Sequence, residues 1–329
     1  MRGTHSHSSS LNPLLVVLFL IGFGVMLDAL FTPPPLIASK QPLETILTNL
    51  VEEQDPGVAL QTYSLAIQTD PSALEACHKL GHLIGKLAYA KYEDFSQAMQ
   101  FQNDICGSGF NHGVIAAYIN AVGPTIFSKY LQICKNNDYY CQHGVGHGLM
   151  FVTDNDLPRA VALCAKFGTL EERTACAEGV FMENFETDDE SHQSLYLRPT
   201  DPYYPCSEYG TIYEDTCAYY SGRYHLKLAP GNTLGTRANQ ALTQCYLVTN
   251  PYACSRGVGS AIARSLPSDF DSLGESCFYA DQNLRSACLL GGLRYYSLIT
   301  YLESIPMIKA RVCPVISNQA MARLCWDSG

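Results

Sequence analysis

Tryptophan occurs once, and charged side chains make up only 16% of this 329-residue chain. Basic residues are the scarcer sign, 21 Lys and Arg against 31 Asp and Glu, for a net charge of −10. A nucleic-acid binder needs a basic footprint, so that partner class is excluded. No CxxC pair and no CxxCH haem-attachment motif occurs, which removes the usual cysteine routes to redox exchange and haem. A Walker loop, GxGxxG, GxSxG and HExxH are missing as well, and with them the common phosphate-cradling, nucleophilic and zinc-protease signatures. The low charge does not signal disorder, because 47% of the residues are hydrophobic and can bury a core.

Long apolar runs are also rare. One stands near the N-terminus, from Leu14 to Leu27, and the stretch from Pro13 to Phe31 reaches 19 residues if Asp28 sits at an interface, enough to span a bilayer. Arg2 is the clear charge ahead of it, which keeps the N-terminus cytoplasmic. A cleaved signal peptide is the alternative, although its small-x-small cleavage site has only poor candidates here. The chain then divides into a cytoplasmic tail (1–12), a membrane anchor (13–31), a stiff linker (32–43) carrying Pro33, Pro34 and Pro35, and an ectodomain (44–329) in the periplasm or outside the cell. Fourteen cysteines suit such an oxidising compartment.

The cysteines keep time. Cys77, Cys106, Cys141, Cys176, Cys217, Cys254 and Cys288 recur every 29 to 41 residues, most followed by glycine and an apolar stretch, as in CQHGVGHGL. A second series, Cys134, Cys164, Cys206, Cys245 and Cys277, closes segments with helical apolar spacing such as DLPRAVALC. Cys313 and Cys325 repeat the pairing at the C-terminus. The unit is a helical hairpin, and a short loop between antiparallel helices brings its ends within disulfide reach. The expected bridges are 134–141, 164–176, 206–217, 245–254, 277–288 and 313–325. Cys77 and Cys106 are left over, as a seventh disulfide or as free thiols.

This repeat length, the cysteine pair across each loop, and segments such as CHKLGHLIGKLAYAKYEDFSQAMQF resemble cysteine-rich Sel1-like repeats, relatives of the tetratricopeptide repeat, over residues 50–325. The glycine and alanine positions are only partly kept, and the histidines are foreign to that family. The resemblance implies an α-solenoid that binds partners; the repeat itself reads as an all-α, disulfide-stapled array of tandem hairpins, an open α-solenoid or a closed α/α toroid. Residues 186–205, ETDDESHQSLYLRPTDPYYP, interrupt the rhythm and form an inserted loop, either a lid or a solvated surface segment.

Five histidines mark the starts of three successive repeats: His78, His82, His112, His143 and His147. Two HxxxH pairs place imidazoles one helical turn apart on one face, a geometry in which both reach one ion. Glu178, Met182 and Glu183 extend that surface into the next repeat, the glutamates as outer ligands or general base. Imidazole-rich sites suit copper, zinc and iron alike, and Met182 leans toward copper. The bland alternative is histidines kept for packing, but the ladder fades after the third repeat while cysteine and glycine persist. Aligned with the same rows stand Arg223, Arg256 and Arg294, which bind an anionic small molecule or pair with acids such as Glu214, Glu275 or Glu303. Two functions stay open: a membrane-anchored metal protein, with or without catalysis, and a non-enzymatic scaffold presenting its surface to a protein or peptide.

Overall fold

A computed structural model describes residues 42–103, 105–123, 134, 139–186, 194–201, 203–267, 269–300 and 304–328. The expected anchor over 13–31 and the insertion residues 187–193 and 202 lie outside the described residues. Among the described residues no helix is long and apolar enough to cross a membrane.

Sixteen α-helices and no strand occur among the described residues. They are α1 (Leu43–Glu53), α2 (Pro56–Thr69), α3 (Pro71–Glu75), α4 (Cys77–Tyr92), α5 (Phe95–Ala98), α6 (Ile105–Val122), α7 (Tyr139–Val152), α8 (Leu157–Cys164), α9 (Leu170–Glu186), α10 (Thr211–Leu228), α11 (Leu234–Gln244), α12 (Pro251–Ser265), α13 (Phe270–Cys277), α14 (Arg285–Thr300), α15 (Ile305–Val312) and α16 (Gln319–Asp327). The alternation of a short helix and a longer one follows from the sequence. Short helices open on side-chain caps: Asp156 accepts from the Arg159 amide, Asp269 from that of Ser272, and Thr233 makes a capping box with Thr236. Such caps satisfy amides left over in the first turn. Each short helix carries one apolar stripe, Leu157, Ala160, Val161 and Cys164 in α8. The long helices are small or apolar on nearly every side, so α7 is buried continuously from Cys141 to Met150, as an all-round apolar helix must be.

The six expected disulfides are all present, with Cα–Cα distances of 5.4 to 5.6 Å. Four of them, 164–176, 206–217, 245–254 and 277–288, tie a short helix or turn to the next long helix, 134–141 reaches the opening of α7, and 313–325 closes onto the short α16. Cys77 and Cys106 are free and buried.

The long helices pack in series, α4 on α6, α6 on α7, α7 on α9, α9 on α10, α10 on α12 and α12 on α14, and α14 returns to pack on α6. The short helices sit behind them: α8 against α7 and α9, α11 against α10 and α12, α13 against α12 and α14. The α4–α6 contact is backbone on backbone. A Cβ on Gly85 would overlap the Phe110 carbonyl, one on Gly113 would overlap the His82 carbonyl, and one on Gly109 would lie 2.6 Å from the His78 carbonyl. Glycine is what lets two histidine-bearing helices come this close, and the same device joins α10 to α12 through Gly222 and Gly257.

Candidate metal centre

His78 and His82 lie one turn apart on α4, His112 on α6, and His143 and His147 one turn apart on α7. The close α4–α6 contact brings together His78, His82 and His112, and the packing of α7 on α6 adds His147. One ring nitrogen from each of His78, His82, His112 and His147 falls within 4.8 Å of all the others. The Nε2 atoms of His78 and His82 are 3.1 Å apart, near the roughly 3.3 Å between two nitrogens bound tetrahedrally to an ion at about 2.0–2.1 Å.

The surroundings set the tautomers. His78 Nδ1 donates to the Cys106 carbonyl at 2.7 Å, and since a carbonyl only accepts, the Nε2 lone pair of His78 is left for the cluster. That carbonyl belongs to a feature the repeat pattern did not announce. Cys106, Gly107 and Ser108 adopt left-handed backbone angles (φ 55°, 68° and 59°) where the spacing predicts a regular helix start. Two of the three are not glycine, and left-handed residues with a Cβ cost about 1–2 kcal/mol each. Glu183, on α9, accepts from His147 Nδ1 at 2.8 Å, so the carboxylate orients this ring and leaves Nε2 inward, the usual second partner of a metal-binding imidazole.

What the inward atoms touch is telling. Among the described residues, both ring nitrogens of His112, Nε2 of His147 and Nδ1 of His143 are buried without a well-formed hydrogen bond, the backbone at Tyr140 lying near the His112 ring. Each such group costs about 1–3 kcal/mol. Burial lowers the pKa of His78 to about 3 and pushes those of His82 and His112 well below the ordinary value, with the neighbouring imidazoles acting in the same direction. These rings are therefore neutral at physiological pH, the form that binds metal.

His143 stands apart from the four. Its ring stacks on His112 with centroids 4.9 Å apart, and it faces a cavity of about 200 Å³ on the other side of the cluster. Glu178 lines that same cavity and hydrogen-bonds the Tyr139 hydroxyl, not an imidazole. Burial raises its pKa, opposed by the Tyr139 hydrogen bond and by Arg256 and Arg294. Arg223, Arg256 and Arg294 all line the cavity. The acids they meet are not those expected: Arg223 pairs with Glu186 and Arg256 with Asp215 at 3.3 Å. Arg264 lines it too and also reaches Glu186, at 3.0 Å. Its place eight residues after Arg256 on α12, two turns along the same face, was a signal the aligned rows left out. Glu186, the first residue of the expected insertion, is the last residue of α9. A second cavity of about 240 Å³, lined among others by His82, His147, Lys86 and Phe151, also meets the cluster, and His78, Met182 and Arg264 line both.

Comparison of the chain with protein-family models, with curated proteins and with solved structures finds no match.

Proposed function

We propose that this protein binds a transition-metal ion through His78, His82, His112 and His147. The observation that carries the reading is the set of buried nitrogens on His112 and His147 that lack a partner among the described residues, converging with the Nε2 atoms of His78 and His82, which hydrogen-bond each other. Coordination would satisfy all of them at once. Zinc, copper and iron all suit imidazole ligands, and Met182 beside both cavities adds a soft atom that favours copper. Such an ion supplies Lewis acidity or a water of lowered pKa. Glu183 holds His147 in its ligand tautomer, and Glu178 stands in the adjoining cavity as a candidate general acid or base. The return of α14 to α6 favours a closed toroid over an open arc, built of Sel1-like hairpins and carried outside the cytoplasm by the segment 13–31.

The test is elemental analysis of the chain purified without chelator, with melting temperature recorded with and without chelator. One ion per chain is expected, with a chelator-sensitive melting temperature. His82→Ala combined with His147→Ala should abolish both, because a ligand held at 100 times its Kd adds about 2.7 kcal/mol to the native state alone. A metal-free wild type whose melting ignores chelator sinks the proposal. The scaffold reading then takes over. It is favoured by exposed apolar residues that follow successive short-helix cysteines, Tyr246 and Leu247 after Cys245, and Phe278 and Tyr279 after Cys277.

A further inference from the structure

The cavity beyond the histidine cluster has its own charge imbalance. Four guanidiniums line it, those of Arg223, Arg256, Arg264 and Arg294. Two carboxylates pair with them: Glu186 is shared by Arg223 and Arg264, and Asp215 takes Arg256 through one 3.3 Å contact. Asp215 is 55% exposed, so it competes poorly for its partner. Arg294 makes no ion pair or hydrogen bond among the described residues, and stands exposed. Glu178 lines the same cavity and feels the charge of both Arg256 and Arg294, so four guanidiniums face three carboxylates and one positive charge is left over.

Two buried tyrosines add to this. Tyr220 is 5% exposed and Tyr295 is 7% exposed, and both line the cavity. His143 Nδ1, on the same cavity, is buried without a hydrogen-bond partner among the described residues. A guanidinium fork matches the oxygens of a carboxylate or phosphate, and tyrosine hydroxyls donate to the same oxygens. The volume, about 200 Å³, lies below the roughly 300–1,000 Å³ of ordinary small-molecule sites, which sets the ligand as compact.

We infer that this cavity binds a small oxyanion-bearing molecule, a carboxylate or a phosphate, held by Arg294 and Arg256 at its mouth and by the Tyr220 and Tyr295 hydroxyls within. The site goes beyond the metal proposal and does not depend on it, because its recognition groups lie on α10, α12 and α14 while the imidazole cluster lies on α4, α6 and α7. His112 and His143 join the two, so a bound anion has a path to the imidazole side.

The experiment titrates the full chain, chelator-treated and metal-supplemented in parallel, with inorganic phosphate and with succinate in low-salt buffer, by calorimetry. Saturable binding of at least one probe to the chelator-treated chain is expected, and whichever binds tighter identifies the oxyanion class. Arg256→Gln with Arg294→Gln should weaken it at least tenfold, and the milder Arg294→Lys should lie between, since it keeps the charge and loses the fork. Both arginines reach solvent, and an unchanged circular dichroism spectrum confirms the variants' folding. Absence of binding by both probes, or binding that the double variant leaves unchanged, overturns the inference. So does binding seen only with added metal and insensitive to the arginines, which would make the anion a metal ligand. Anion binding by a chain that takes up no metal would sink the metal proposal and leave this one standing.

Discussion

The two sides of the helix series make an instructive pair. On α4, α6 and α7 the rows facing inward carry imidazoles; on α10, α12 and α14 the corresponding rows carry guanidiniums. Backbone packing is alike, with glycines letting carbonyls touch the neighbouring helix on both sides. Only the side chains differ, and they invert the demand. Neutral buried imidazoles present lone pairs that ask for a cation. Guanidiniums present donors only and ask for an anion. The seam is α9, whose Glu183 orients His147 on one side while its Glu186 holds Arg223 and Arg264 on the other. The two sides also differ in how they are held. The six disulfides span residues 134 to 325, whereas α4 and α6 are joined by glycine contacts beside two free thiols.

Reduction breaks this comparison most severely. Closing loops of 7 to 12 residues is worth about 2.5 kcal/mol for each bridge, and six of them rival a typical total stability of about 5–15 kcal/mol. Under graded reduction, hydrogen exchange should rise first on α8 to α16 and last at the α4–α6 contact. Earlier exchange on α4 and α6 would show that the glycine contact does not stand by itself. Before reduction, a denatured chain should show two reactive thiols, those of Cys77 and Cys106.

Acid separates the sides more gently. Burial lowers the pKa of His82, His112 and His143, takes that of His78 to about 3, and takes that of His225 on α10 to about 4. The unfolded chain binds protons at these rings below about pH 6.5 and the native chain does not. Stability is therefore full above about pH 6.5 and falls as pH drops through that value, by up to about 1.4 kcal/mol per pH unit for each ring. Four of these five rings belong to the imidazole side. His225→Gln should leave most of the acid sensitivity of the metal-free protein in place, as read from denaturant midpoints at pH 7.5 and 5; a flat profile in that variant would move the effect to the arginine side.

Smaller substitutions sharpen the contrast further. Gly85→Ala would drive a Cβ into the Phe110 carbonyl, and Gly257→Ala would drive one into that of Tyr219. Each should cost about 1–3 kcal/mol as overpacking. Only Gly85→Ala separates the two helices that carry His78, His82 and His112, so it alone should reduce metal stoichiometry. Equal metal loss in both variants would mean that the cluster senses global stability and not the α4–α6 spacing.

Much of this architecture was legible from chemistry that repeats at short range. Each disulfide spans one loop, so the Cys164–Cys176 bridge follows from twelve residues of sequence. The HxxxH pairs follow from helical periodicity alone, and the common side of Arg223, Arg256 and Arg294 follows from aligning the repeats on their cysteines. Three things did not follow. Nothing in a CGSG stretch announces that Cys106 and Ser108 turn left-handed and offer a carbonyl to His78. Nothing within α7 tells His147, which joins the cluster, from His143, which turns to the neighbouring cavity. And Glu186 meets Arg264 across 78 residues of chain, a distance over which no periodicity speaks.

The sequence by itself thus determined the helical hairpins, their cysteine staples and the two chemically opposite rows, because each depends on residues within one or two turns or one short loop. Tertiary structure alone decided which four imidazoles converge, which carboxylate serves which cation, and that Arg294 makes no ion pair among the described residues while Tyr220 and Tyr295 line its cavity. Those outcomes depend on how closely α4 approaches α6 and on α14 returning to α6, and such distances are set by the packing of the whole series of helices.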